Sequence, residues 1–368
     1  MDNQFEYDMD YALKKDRARR KKSAAIKRQR ARRVYFIKKV CRVSCIIVLL
    51  TIISVIAIKR VSKGSSSSQA DNQVLYNDQA AVQINAEALK DLNKETQAVK
   101  IKYPDKADNY KEIDNEAILS PYISLLDVEN SKIIAGRNCD ARIYPASMTK
   151  VMTLIVAVEN LKDSSQTFTF NNEIIDPLVK QDASRAGFEP DEKVQVEDLL
   201  YGLILPSGAD SAEALAQMTA GSDEKFADMM NEKCKELGLV NTHFTNPSGL
   251  FDEQQYTTPT EMAMILEYAM SNPECSKILS TYQYTTKATD KHPEGIQLTS
   301  TMFSRMYGNE VEGVTIQAGK TGYTQEAKSC LVSYAEKNGH HYVAVTASAE
   351  NKWHVIFDDF EIYKTYLP

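Results

Sequence analysis

Pro145-Ala146-Ser147-Met148-Thr149-Lys150 opens the apolar run Val151-Met152-Thr153-Leu154-Ile155-Val156-Ala157-Val158. A proline followed by eight mostly aliphatic residues predicts a buried helix that begins at this hexapeptide. On the N-terminal side, Tyr122 to Val128 predicts a strand, Glu129 to Lys132 a turn, and Ile133 to Ala135 a return strand. On the C-terminal side, helical periodicity covers Val196–Leu205, Ser211–Thr219, Glu224–Leu237 and Thr260–Met270. Strand patterns then return at Val311–Gln317, Ser329–Glu336 and His341–Ser348, with Asn338-Gly339 turning the last pair. A closing helix runs from about Lys352 to Tyr366. Strands at both ends with helices between them predict an α/β chain of the α+β type: an antiparallel sheet flanked by helices, with an inserted helical lobe.

The net charge of −6 conceals an asymmetry. Residues 1–63 carry 18 Lys and Arg against 5 Asp and Glu, a surplus of +13 that leaves −19 for the remainder. A basic head on an acidic body argues against nucleic-acid binding, which needs its positive charge on the folded surface. The basic head is followed by an apolar run, Val43 to Ile58, bounded by Arg42 and by Lys59-Arg60. Sixteen residues is short for a membrane span, but the flanking basic side chains are long enough to snorkel at both ends. With no small-residue cleavage site after it, the run is expected to be an uncleaved signal anchor. The basic flank then stays cytoplasmic and the rest lies outside the cell membrane. The expected organisation is a cytoplasmic tail over 1–42, a transmembrane anchor over 43–60, a linker or stalk over 61–115 beginning with Gly64-Ser65-Ser66-Ser67-Ser68, and a catalytic domain over 116–368. Within the stalk, Ala86–Val99 is a possible helix. Of the six cysteines, Cys139, Cys234, Cys275 and Cys330 are far apart and form no CxxC, so they read as small buried hydrophobes and not as a metal site.

Three short motifs carry the chemistry. Ser147 and Lys150, three apart at a helix start, share one face, so the amine can reach the hydroxyl and take its proton if burial disfavours its charge. Ser-x-x-Lys alone is weak, since it arises by chance about once or twice in a chain this long. Ser222-Asp223-Glu224-Lys225 also matches, and reads as a helix cap. The second motif is Pro206-Ser207-Gly208-Ala209-Asp210, and the third is Gly319-Lys320-Thr321-Gly322-Tyr323-Thr324 at a strand. In this order the three make the pattern of penicillin-interacting serine enzymes.

Stretches from Tyr122 to Ser348 resemble the serine D-Ala-D-Ala carboxypeptidases, the low-molecular-mass penicillin-binding proteins. Besides the motifs, the matching segments are Asn246-Pro247-Ser248-Gly249-Leu250, Tyr256-Thr257-Thr258 with Glu261-Met262-Ala263, and Ala318 to Leu331. The resemblance implies a penicillin-binding transpeptidase/β-lactamase-like fold. It makes Ser147 the acylated nucleophile, Lys150 its base and Ser207 a proton relay. Lys320 and Thr321 would hold a substrate carboxylate, Gly322 would leave room for the substrate along the strand edge, and the N–H groups of Ser147 and Tyr323 would form the oxyanion hole. The implied substrate is a peptidoglycan stem peptide ending in D-Ala-D-Ala. β-Lactam antibiotics would act as covalent inhibitors, and no metal or cofactor is required. The family's common C-terminal β-rich domain is expected to be absent.

Two positions depart from the family pattern. Ala209 stands where the second motif usually has asparagine, so an amide that orients the lysine is missing unless Asp210 or a water replaces it. Lys352-Trp353-His354 stands where an arginine often follows the last strand. A transpeptidase of the same fold and a catalytically impaired peptidoglycan-binding module are the competing readings. A class A β-lactamase would need a Glu-x-x-Leu-Asn segment between Ser207 and Lys320, and none is present. A zinc carboxypeptidase would need clustered ligands, and the five histidines show no such spacing. Asn246 to Gly249 is a turn-forming run, expected at the rim of the site without a catalytic part.

Overall fold

The computed structural model describes residues 101–308 and 311–368. The expected cytoplasmic tail over 1–42, the expected transmembrane anchor over 43–60, the helix expected at 86–99 and most of the expected linker lie outside the described residues. Among those described, no helix is long and apolar enough to cross a membrane.

In chain order the elements are β1 (Asp105–Glu112), β2 (Tyr122–Asp127), β3 (Lys132–Arg137), a 3₁₀ turn (Ala146–Thr149), α1 (Lys150–Asn160), β4 (Thr167–Thr169), α2 (Asn172–Lys180) and β5 (Lys193–Gln195). There follow α3 (Val196–Ile204), α4 (Ala209–Ala220), α5 (Asp223–Glu236), α6 (Pro259–Ser271), α7 (Pro273–Leu279), β6 (Gln283–Thr285), β7 (Gln297–Thr299) and α8 (Thr301–Met306). The chain closes with β8 (Thr315–Thr324), β9 (Lys328–Lys337), β10 (His340–Ala349) and α9 (His354–Tyr366).

Six strands form the main sheet in the order β1-β3-β2-β10-β9-β8. Five pair antiparallel as expected, but β1 lies parallel to β3, so the sheet is mixed. The folded region therefore begins before residue 116, inside the stretch read as linker. The sequence Asp-Lys-Ala-Asp-Asn-Tyr-Lys-Glu of β1 has no buried residue, so an edge strand held by its backbone left no apolar alternation to read.

Alternation along the inner strands divides the core. Val343 and Val345 of β10 face the helical lobe, in the cluster that contains α1, α3 and α6. Tyr342 and Ala344 face the other way, onto Ile362 and Tyr363 of α9. α1 is buried on every side from Lys150 to Ala157, as a helix at the centre of a lobe must be. Its apolar surroundings fix where Lys150 emerges. α6 starts at Pro259, with the Thr258 hydroxyl accepting from Glu261 N at 3.1 Å. The Glu261 carboxylate in turn accepts from Val240 N, Asn241 N and Thr242 Oγ1, tying the loop before the site to the core helix. Ser222 caps α5 through Lys225 N, as the second Ser-x-x-Lys match predicted. Cys139, Cys234, Cys275 and Cys330 are free and buried.

The chain before β2 is pinned by two groups. Arg137 donates to the carbonyls of Ile113, Ile118, Ser120 and Asn115 at 2.7–3.1 Å. Buried Asp358 of α9 accepts from Leu119 N at 3.0 Å, Ser120 N at 2.7 Å and Ser120 Oγ at 2.6 Å. Removing that carboxylate strands three donors, so Asp358→Ala should lower the unfolding free energy by about 3 kcal/mol in a urea titration. Lys364→Ala, which breaks only the exposed pair with Glu361, should stay within about 0.5 kcal/mol. Equal effects of the two would contradict this assignment.

Candidate active site

The first motif folds as predicted in outline and differs in detail. Ser147 lies in the 3₁₀ turn rather than in the α-helix, and Lys150 is the first residue of α1. Ala146, just before the serine, is held at φ 46°, a conformation that costs a non-glycine residue about 1–3 kcal/mol. The turn is compressed from two sides. A Cβ on Gly322 of β8 would stand 2.9 Å from Pro145 O and 3.2 Å from Met148 N. A Cβ on Gly249 would stand 2.1 Å from Ala146 O, at φ +80°. Only glycine lets both backbones approach so closely.

Lys150 Nζ lies 3.0 Å from Ser147 Oγ, and its other contact is the carbonyl of Ser248. The side chain is 2% exposed. Burial pulls the amine down to about 7, against the opposing pull of the Glu213 and Asp210 carboxyls. Near neutral pH an amine so placed can be unprotonated, with a lone pair aimed at the serine hydroxyl.

The second and third motifs meet each other. Lys320 Nζ donates to Ser207 Oγ at 2.9 Å and to Thr321 O at 2.8 Å. Lys320 is 1% exposed, and burial, then the positive charges of Lys150 and Arg305, hold it well below the ordinary lysine value. Basic groups thus gather at this point, and an incoming anion would favour their charged forms. Ser207 is a second strained residue, at φ 69°. Tyr323, next along β8, is 66% exposed at the open edge of the site. The structure therefore brings Ser147 with Lys150 and Ser207 with Lys320, and it lays Gly322 against the turn that carries Ser147.

Asp210 does not take the place of an amide at 209. Its buried carboxylate accepts from Ala186 N at 2.8 Å, Gly187 N at 3.1 Å and Ser211 N at 2.9 Å, and is spent on holding that loop. Burial pushes this carboxyl up, and the backbone N–H groups oppose the rise.

Several contributors escaped the sequence reading. Asn246 to Gly249 is underneath the site, not at its rim. Ser248 is buried, its carbonyl accepts from Lys150, and the Pro247 carbonyl accepts from Thr153 Oγ1 at 2.6 Å. Thr301 ties two motifs together: its N–H donates to Leu205 O at 3.0 Å, and its hydroxyl pairs with that of Thr321 at 2.7 Å. Glu213 and Arg305 act on the lysines through charge. A carbonyl leaves no mark in a sequence, and Thr301, Glu213 and Arg305 belong to no motif. Only the Asn-Pro-Ser-Gly turn gave a signal.

Comparison with known proteins places this geometry among relatives. Residues 106–351 match the family model described as D-alanyl-D-alanine carboxypeptidase. The D-alanyl-D-alanine carboxypeptidase DacF of Bacillus subtilis is 34% identical over 226 residues, 61% of this chain and 56% of that protein. DacA of Haemophilus influenzae, of the same description, is 33% identical over 216 residues, 57% of this chain and 52% of that one. The chain thus spans about half the length of these curated relatives. The crystal structure of the Streptomyces K15 DD-transpeptidase superposes with a TM-score of 0.61 at 27% identity, covering 68% of this chain and 98% of that one.

Because the free amine of Lys150 is what can accept the proton, Ser147 should react with an activated acyl donor about tenfold faster per unit below pH 7, then level off above it. Lys150→Arg, which stays charged, should lose at least about a hundredfold. Intact-protein mass spectrometry of adduct formation from about pH 5 to pH 9 reads both, and a flat profile would exclude Lys150 as the base.

Proposed function

The chain belongs to the D-alanyl-D-alanine carboxypeptidase family, and on that premise we propose that it removes the terminal D-Ala from peptidoglycan stem peptides through an acyl-enzyme on Ser147. The observation that carries the reading is the buried Lys150 amine at 3.0 Å from Ser147 Oγ, beside a second buried lysine on Ser207. A binding module gains nothing from burying two lysines against two serines, since each costs desolvation that only chemistry requires.

In this reading Lys150 takes the proton as Ser147 Oγ attacks the carbonyl carbon of the penultimate D-Ala. The N–H groups of Ser147 and Tyr323 receive the oxyanion, supported by the close approach of Gly322 to the Ser147 turn. The tetrahedral intermediate collapses by breaking the peptide C–N bond. Ser207, held by Lys320, relays the proton from the Lys150 ammonium to the leaving amine, which returns Lys150 and Ser207 to their starting forms, and free D-Ala departs. Water then attacks the acyl ester and regenerates Ser147. Lys320 and Thr321 meet the substrate carboxylate, which supplies the anion that the buried lysine lacks at rest. A β-lactam enters by the same attack and stays as a slowly hydrolysed acyl-enzyme. The run Val43–Ile58 between basic flanks supports a membrane anchor with the catalytic domain outside the cytoplasm.

A transpeptidase differs only in the acceptor, an amine in place of water. The likeness to a protein named DD-transpeptidase keeps that reading in view. The test is to incubate the full chain in detergent with a fluorescent penicillin, and to map the adduct. Label on Ser147 that is absent from Ser147→Ala supports the reading, and no label on folded protein would sink it. With a D-Ala-D-Ala peptide, D-Ala release without added acceptor indicates carboxypeptidase activity. Release that depends on an added amine, with a cross-linked product, indicates transpeptidation.

A further inference from the structure

The wall of the cleft that carries Ser207 is built from two chain segments. Ala209 N donates to Ser184 O at 2.7 Å, and the Asp210 carboxylate accepts from Ala186 N at 2.8 Å and Gly187 N at 3.1 Å. Two glycines permit this approach. A Cβ on Gly208 would stand 2.9 Å from Ala186 N, and one on Gly202 would stand 3.0 Å from Ala186 Cβ. Residues 184–187 are therefore fixed against the Ser207 loop largely by main-chain atoms. Ala186 turns into the core of the lobe, whereas Arg185 beside it is exposed. The acids around this arginine are engaged elsewhere. Asp210 is spent on the backbone, and buried Glu192 accepts from Glu189 N at 2.8 Å and Thr289 Oγ1 at 2.6 Å and pairs with His292 Nδ1 at 2.9 Å. Glu189 lies 3.9 Å from Nε2 of the same histidine. Among the described residues Arg185 makes no ion pair and no side-chain hydrogen bond. A guanidinium of this kind, a planar fork of N–H donors on a fixed backbone, matches a carboxylate.

We propose that Arg185 is a specificity-determining residue that binds a second carboxylate of the stem peptide, carried on the side chain of the residue before the D-Ala pair. The proposal rests on the acyl-serine reading above and narrows the substrate class within it. Lys320 and Thr321 on β8 take the terminal carboxylate, and Ser147 takes the penultimate carbonyl, so the rest of the peptide leaves on the acyl side. An extended peptide advances about 3.5 Å per residue, which keeps the residue before the D-Ala pair close to the wall formed by residues 184–187. An acidic side chain there gains a bidentate partner, whereas an amine in the same place meets a like charge. The guanidinium is exposed, so the preference is modest and weakens with salt.

The test uses the full chain in detergent and two peptides ending in D-Ala-D-Ala. They are identical except that the residue before the pair bears a side-chain carboxylate in one and the corresponding carboxamide in the other. D-Ala release is followed with an amine acceptor present, so that hydrolysis and transfer are both counted. The ratio of kcat/KM for the two peptides is taken within one preparation, which cancels any unfolded fraction. The parent should favour the carboxylate peptide about threefold to tenfold at low salt, mainly through KM, and by less at about 0.5 M salt. Arg185→Gln should bring the ratio to about one, and Arg185→Lys should keep part of the preference. Arg185→Glu should reverse it. A parent ratio near one, or a ratio that Arg185→Gln leaves unchanged, would overturn the proposal. A parent chain that releases no D-Ala from either peptide and takes no penicillin label would instead overturn the acyl-serine reading, and this proposal with it.

Discussion

The site depends on keeping one lysine amine dry. Lys150 has no ion-pair partner among the described residues and is 2% exposed, on a helix buried from Lys150 to Ala157. A group in such a place favours its neutral form, because desolvation penalises the charge by more than the Glu213 and Asp210 carboxyls restore. The central packing of α1, with Val151, Leu154 and Ile155 fully buried, therefore belongs to the chemistry as much as to stability. Opening a cavity beside this helix would admit water and return the lysine to its ordinary charged state.

Three distant chain segments must meet at this amine, and the fold brings them together by close backbone contact. β8 reaches the Ser147 turn at Gly322, and the 246–249 loop reaches it at Gly249. Thr301 links Leu205 to Thr321, so the approach to Ser207 and the strand carrying Lys320 move as one. Positive φ angles at Ala146 and Ser207 show where the backbone is forced to present a side chain. The surrounding sheet and helices hold that strain in place.

Much of this was legible in the sequence. Long helices such as α1 and α6, and the strands β9 and β10, announce themselves by periodicity, because burial selects apolar residues at 3.6- or 2-residue spacing. Ser147, Lys150, Ser207 and Lys320 stood out through three motifs in order. β1 did not, because Asp105–Glu112 is held by backbone pairing and buries no side chain. The three-residue strands β4 to β7 are too short for any period to appear. The carbonyl of Ser248 was invisible for another reason: its part is played by a main-chain atom whose position is fixed by tertiary contact.

The central claim is that Lys150 gives up its proton near neutral pH, far below an ordinary lysine. It is tested most directly by following the Lys150 side-chain nitrogen by NMR across pH in the lysine-labelled protein, with Lys150→Arg to assign the signal. The account predicts a titration centred near 7, distinct from the surface lysines. A Lys150 signal that stays protonated up to about pH 10, like an ordinary exposed lysine, would contradict it.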